Sequence, residues 1–204
     1  MPTKNSDLHG NAPDEAPTVL LLIDVINDLE FDGGDALLAQ ALPMAERLAA
    51  LKRRARAAGI PAVYVNDNFG RWRSDLHALL AHCLDDDVRG RPLAERLAPD
   101  PDDYFVLKPK HSGFFATTLD TLLDYLHART LILTGLTADN CVLFTASDAY
   151  LRDFEIVVPC DCVASIDLGH TAQALEHMHR VLKADITASP AVALSRGRRD
   201  AHGV

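Results

Sequence analysis

Three residues of this chain could carry out covalent chemistry together. Cys141 ends the stretch Thr134-Gly135-Leu-Thr-Ala-Asp-Asn-Cys141, where an apolar run gives way to a helical pattern. A cysteine in the first turn of a helix feels the positive end of the helix dipole and nearby backbone N–H groups, and both favour the nucleophilic thiolate. Lys108 closes the run Tyr104-Phe-Val-Leu107, and its ammonium would lower the thiol pKa further. Asp24 closes Thr18-Val-Leu-Leu-Leu-Ile, where a carboxylate is partly desolvated; it could take the thiol proton and later deliver it to a leaving group. Taken singly, each has a plainer reading: a packed thiol, a solvated lysine, an aspartate capping a turn. It is their common position, at the ends of apolar segments, that points to nucleophilic catalysis.

The elements that must position them follow from the apolar pattern. Five or six segments rich in Val, Ile and Leu alternate with helical stretches, which predicts an α/β fold with a mostly parallel sheet covered on both faces. The expected strands are 18–24, 62–65, 104–107, 130–134 and 155–158, with a short sixth at 184–187. Leu37, Ala41, Met44, Leu48, Leu51 and Ala55 recur at spacings of four and three, a helical stripe, with Pro43 marking its regular start or a kink. Lys52, Arg53, Arg54 and Gly59 read as its C-terminal turn and cap. The irregular stretch 69–103 is expected to hold one short helix near 74–83. Thr117 and Asp120 form a capping-box candidate before a helix with Leu119, Leu122, Leu123 and Leu126. Further helices are expected over about 139–152, opened by Cys141, and 170–182, with Leu175, Met178 and Leu182 inward. In an open parallel sheet, ligands bind beyond the carboxyl ends of the strands. Asp24, Asn66, Asp67, Lys108 and Cys141 all belong to that edge.

Composition narrows the function classes. The chain has 204 residues, 48% of them hydrophobic and 24% charged, as in an ordinary folded domain. A net charge of −9 and the lack of a basic nucleic-acid module argue against DNA or RNA as partner. No apolar run reaches the roughly 20 residues of a membrane span. The first segment lacks the apolar stretch of a secretory signal, so the cytoplasm is the expected compartment and the four cysteines are expected to be thiols. The pair Cys160 and Cys162 reads as packing beneath a loop, and His177 and His179, two apart on a helix, as surface residues.

Asp24-Val-Ile-Asn27-Asp28-Leu, Lys108-Pro-Lys-His-Ser112-Gly-Phe114, Thr134-Gly135-Leu-Thr-Ala-Asp-Asn-Cys141-Val and Thr145-Ala-Ser-Asp-Ala149 together resemble the isochorismatase-like cysteine hydrolase superfamily, over about Thr18 to Thr187. The resemblance implies a three-layer α/β/α fold with a Rossmann-like sheet, one hydrolase domain over residues 18–190 and flexible tails at 1–17 and 191–204. It implies an Asp24, Lys108 and Cys141 triad, a cis peptide at Leu136-Thr137, and an oxyanion hole made by the N–H groups of Thr137 and Cys141. Amide hydrolysis would then run through a thioester on Cys141. No cofactor is called for, and the partners implied are a small-molecule substrate and further copies of the chain, as a dimer or tetramer.

The chain departs from nicotinamidases, whose Asp-x-His motif and further histidines hold a metal. Asn66-Asp67-Asn68-Phe69 stands at that place, so neither that activity nor a metal is expected. Isochorismatases that cleave a vinyl ether typically lack the cysteine, so Cys141 favours C–N hydrolysis of an amide, ureido or carbamoyl group. Phe69, Arg71, Trp72, His111 and Phe114 are candidates for a pocket around a small, anionic substrate. Two alternatives stay open: an isochorismatase-type ether hydrolase, and a non-catalytic interaction protein on the same fold.

Overall fold

The structure, a computed structural model, describes residues 15–69 and 75–194. Its elements are β1 (Thr18–Ile23), α1 (Gly34–Ala57), β2 (Ala62–Asp67), α2 (Leu76–Asp85), α3 (Arg91–Arg96), β3 (Tyr104–Lys108), α4 (Leu119–Tyr125), β4 (Thr130–Leu136), a π-helical turn (Ala138–Val142), α5 (Leu143–Tyr150), β5 (Glu155–Val157), β6 (Val163–Ala164), α6 (Leu168–Leu182) and a 3-10 turn (Ser189–Ala191). The strands pair in parallel in the order β3-β2-β1-β4-β5, with β6 alongside the end of β4. This is the mostly parallel three-layer α/β/α architecture expected from the sequence.

The continuous apolar run of β1 reflects its central place, because successive side chains go to opposite faces and both faces are covered. Val19, Leu21 and Ile23 pack with Leu119 and Leu123 of α4, Ala146 and Ala149 of α5, and Ala174, Met178 and Leu182 of α6. Leu20 and Leu22 pack with the stripe of α1 and with Leu79, Cys83 and Leu93 of α2 and α3. Gly135 has φ +106°, and a Cβ there would stand 2.1 Å from the Ile23 carbonyl oxygen, so β1 and β4 approach closely where their ends carry the candidate chemistry.

Several local expectations change. Helix α1 runs unbroken from Gly34 through Pro43 to Ala57, its apolar face holding it across the missing N–H. Lys52, read as part of the C-terminal turn, is buried: its Nζ meets Asp103 at 2.5 Å and Asp100 at 3.0 Å and donates to Tyr64 Oη at 2.9 Å, tying α1 to the connection before β3. That connection contains α3 as well as α2, and α3, with six residues, is too short to show a helical period. Thr117 makes no capping box; its Oγ1 accepts from Leu119 N–H and donates to the Gly113 carbonyl, and α4 starts after Thr118 without a side-chain cap. Residues 163–164, read as loop, form β6, and the expected strand at 184–187 is reduced to a single bridge between Val157 and Asp185.

The expected tails are anchored where they are described. Ala16 is buried and donates to the Leu126 carbonyl, while Arg54 donates to the carbonyls of Ser189 and Val192, and Val192 is buried. Residues 1–14 and 195–204, the greater part of both tails, lie outside the described residues. Among the described residues no helix is long and apolar enough to cross a membrane.

Candidate active site

Asp24 is the first residue past β1, with a left-handed backbone (φ 51°) that turns the chain out of the sheet. Aspartate tolerates that region better than most residues, and non-glycine residues held there cluster at functional sites. Asp67 and Lys108 are register partners at the ends of β2 and β3. Their side chains lean towards β1, so that Lys108 Nζ lies 2.8 Å from Asp24 Oδ2 and 3.5 Å from Asp67 Oδ2. The backbone N–H of Asp67 donates to Asp24 Oδ1 at 2.6 Å. Lys108 Nζ donates to Cys141 Sγ at 3.5 Å, and the Asp24 carboxyl and the thiol influence each other's ionisation. The structure thus brings Asp24, Lys108 and Cys141 together from three segments. Asp67, absent from the sequence-derived group, belongs beside them; its place at a strand end was the signal that could have found it.

The sulfur sits on a π-helical turn, not in the first turn of an α-helix as expected. Val142 N–H reaches back five residues to the Thr137 carbonyl (3.1 Å), and α5 begins only at Leu143. Such turns are rare and recur at functional sites. The Leu136–Thr137 peptide preceding it is cis.

Electrostatics reverse another expectation. Burial pushes the Cys141 thiol up to about 12, the neighbouring Asp24 carboxylate adds to this, and Lys108 only partly opposes it. Burial and the Asp24 carboxylate thus oppose the thiolate that a helix N-terminus and an ammonium would favour. Burial also raises the Asp24 pKa against the lowering effect of Lys108. Burial disfavours the Lys108 ammonium, but Asp24, Cys141 and Asp67 more than restore it, and its pKa lies above the ordinary lysine value. Burial thus works against charge on both the thiol and the Asp24 carboxyl, while the carboxylates around Lys108 favour its ammonium.

Further hydrogen bonds hold the two loops in register. Thr145 Oγ1 donates to the Cys141 carbonyl at 2.7 Å and accepts from Gly113 N–H at 3.0 Å, joining the π-helical turn to the loop after β3. Ser112 Oγ donates to Asp148 of α5 at 2.5 Å and accepts from Phe114 N–H at 3.1 Å. On the other side, buried Ser165 donates to Asp139 Oδ1 at 2.6 Å, two residues before Cys141. Hydroxyl and carboxylate partners this far apart in sequence leave no local signal.

The expected pocket residues part ways. His111 is exposed, with Nδ1 4.0 Å from Cys141 Sγ and its ring stacked on Phe144 at 5.4 Å. Phe69 is 42% exposed beside the site, its N–H donating to Asp67 Oδ1 at 2.6 Å. Phe114 is instead a core residue, 5% exposed: its ring lies beside Phe154 and 4.5 Å beneath the Arg152 guanidinium, because Gly113 turns the chain inward against Val65 and Leu119. Arg71 and Trp72 lie outside the described residues. Among the other thiols, Cys83 and Cys162 are buried and Cys160 is exposed.

Comparison with known proteins adds four observations. The family model described as the Isochorismatase domain matches residues 18–189. The chain is 40% identical over 173 residues to the uncharacterized isochorismatase family protein YaaI of Bacillus subtilis, covering 85% of this chain and 94% of that one. It is 31% identical over 174 residues to the ureidoacrylate amidohydrolase RutB of Methylorubrum extorquens, covering 72% of this chain and 70% of that one. Among solved structures, N-carbamoylsarcosine amidase from Thermoplasma acidophilum superposes with a TM-score of 0.65 at 26% identity, over 86% of this chain and 98% of that one.

Proposed function

Since the chain belongs to the isochorismatase family, we propose that it is a cysteine hydrolase that cleaves a C–N bond of a small amide, ureido or carbamoyl compound through a thioester on Cys141. The observation that carries this reading is the single Lys108 ammonium shared between the Asp24 carboxylate at 2.8 Å and the Cys141 sulfur at 3.5 Å. Relatives described as amidohydrolase and amidase support the choice of bond.

Burial and the neighbouring carboxylate oppose ionisation of the sulfur, so in this reading its proton leaves as it attacks. Asp24 takes that proton while Sγ bonds to the carbonyl carbon. Lys108 holds Asp24 in place and offsets the negative charge that the sulfur and carboxylate share. The N–H groups of Thr137 and Cys141 are the proposed donors to the tetrahedral oxyanion, an effect of about 3 kcal/mol per donor in comparable sites. Asp24 then protonates the departing amine or ammonia, the C–N bond breaks, and water hydrolyses the thioester. No step requires a cofactor. The enzyme is proposed to act in the cytoplasm as a dimer or tetramer on a small molecule, with Phe69 and His111 at the mouth of the site.

Ammonia release measured across small amides, ureido acids and carbamoyl compounds tests the reading, with the Cys141→Ala protein as blank. Turnover is expected from the unaltered enzyme alone. Equal turnover by the blank at an unchanged melting temperature overturns it.

A further inference from the structure

We propose that His111 is a second catalytic residue, the proton carrier of the thioester-hydrolysis step. This rests on the reading of Cys141 as the acylated nucleophile and assigns a base to the half of the reaction that the triad leaves without one on the solvent side.

The argument begins with the two flanks of the sulfur. On the inner flank stand Asp24, 5% exposed, and Lys108, fully buried. There Asp24 Oδ2 lies 2.8 Å from Lys108 Nζ, and Oδ1 accepts from the Asp67 N–H at 2.6 Å. On the outer flank stands His111, exposed to solvent, with Nδ1 4.0 Å from Sγ. Cys141 itself is half-buried between them. Water that cleaves a thioester arrives from the outer flank, where the imidazole is the first base it meets. A ring free to swing away would be of little use, but the stack on Phe144 limits its rotation and keeps one edge towards the sulfur. The loop bearing His111 is fastened to α5 by the Ser112–Asp148 bond directly after it, so the histidine and the nucleophile move as one unit.

The step balances with no further reagent. With its hydrogen on Nε2, the neutral imidazole accepts a proton at Nδ1 from water as the water oxygen bonds to the thioester carbon. The tetrahedral intermediate then collapses, the C–S electron pair returns to sulfur, and sulfur takes the proton from Nδ1. The products are a free acid, the Cys141 thiol and neutral His111. A base within hydrogen-bond reach of its proton contributes on the order of 10² to 10⁴ in rate. Charged groups that bear on this imidazole are Asp24, Asp67 and Lys108 from the strand ends, Lys110 on its own loop, and Asp148 on α5.

The test uses p-nitrophenyl acetate as the acyl donor, whose burst of nitrophenol reports acylation and whose steady phase reports thioester hydrolysis. In His111→Phe, which keeps the stack on Phe144, the burst is expected to persist while the steady phase slows by about 10²-fold. In His111→Ala, added imidazole is expected to restore much of the steady rate. A steady phase unchanged in His111→Phe, or burst and steady phase slowed equally, overturns the assignment, as does a slowed His111→Ala that imidazole leaves unrestored. If the unaltered protein gives no burst, or one that survives Cys141→Ala, it is the Cys141 reading that fails, and this assignment goes with it.

Discussion

The Lys108 ammonium meets the Asp24 carboxylate at 2.8 Å although the strands that end in them are not neighbours, since β2 stands between β1 and β3. The pair is almost fully removed from water, and Asp67 gives the ammonium a second carboxylate at 3.5 Å. Desolvating such a pair is expensive, and its value to the molecule lies in what it does for the sulfur beside it rather than in net stability.

Removing the cation alone leaves two carboxylates facing each other. Lys108→Met is expected to abolish turnover and to lower stability by about 3 kcal/mol, read by urea unfolding at neutral pH. Because the folded lysine pKa lies above its ordinary 10.5, this contribution is complete at neutral pH and erodes only as the pH climbs through the folded value. Stability equal to that of the unaltered protein would show that the pair is not sealed from water.

The Asp24 carboxylate should oppose ionisation of Cys141 while being needed for its chemistry. With a thiol pKa of about 12, alkylation of Cys141 by iodoacetamide is expected to be slow at neutral pH and to climb about tenfold per pH unit. Asp24→Asn removes the nearer negative group and leaves Lys108 with Asp67 alone, so alkylation should be about tenfold faster at neutral pH, while hydrolysis falls by at least about 10²-fold. The rates are best measured in a Cys160→Ser background, because Cys160 is exposed and would also react. Parallel loss of both rates would contradict this account.

Gly135 is where β1 and β4 come closest. A methyl group there would lie 2.1 Å from the Ile23 carbonyl oxygen on a backbone with φ +106°. Gly135→Ala is therefore expected to cost about 3 kcal/mol and to lower the melting temperature visibly in circular dichroism. A variant that melts with the unaltered protein would mean that the two strands can separate freely.

Ser165 supports the nucleophile turn through an acid-sensitive contact. Burial tends to raise the Asp139 pKa, but bonds from Ser165 and Thr137 outweigh it and leave the value below the ordinary 3.8. The stabilisation is accordingly present above that pH and disappears as acid protonates the folded carboxylate. Ser165→Ala should cost about 1 kcal/mol at neutral pH, since Asp139 keeps access to water, and the gap should close in acid unfolding experiments below the ordinary value. A gap that persists in strong acid would assign the loss to packing alone.

How much of this was readable in advance depends on the range of the interaction concerned. The apolar run ending at Asp24, the stripe from Leu37 to Ala55 and the run ending at Lys108 are local patterns, and each formed the element expected. Their order along the chain was enough to place Asp24, Lys108 and Cys141 at one edge of a parallel sheet. Phe114, by contrast, looked like a pocket aromatic and became core, because Arg152 and Phe154, some forty residues on, close over it. Lys52 was legible only as part of a helix C-terminal turn, and the fold brought Asp100, Asp103 and Tyr64 around it.

The amino-acid order by itself determined the five main strands, the principal helical faces and which reactive side chains stand at strand ends, because periodicity and end position are properties of a few consecutive residues. Only the tertiary structure decided that burial and Asp24 oppose ionisation of Cys141, that Asp67 lies 3.5 Å from the Lys108 ammonium and that His111 Nδ1 lies 4.0 Å from the sulfur. Charge state and reach depend on distances between segments and on the water excluded around them, and neither is written in any local stretch of the chain.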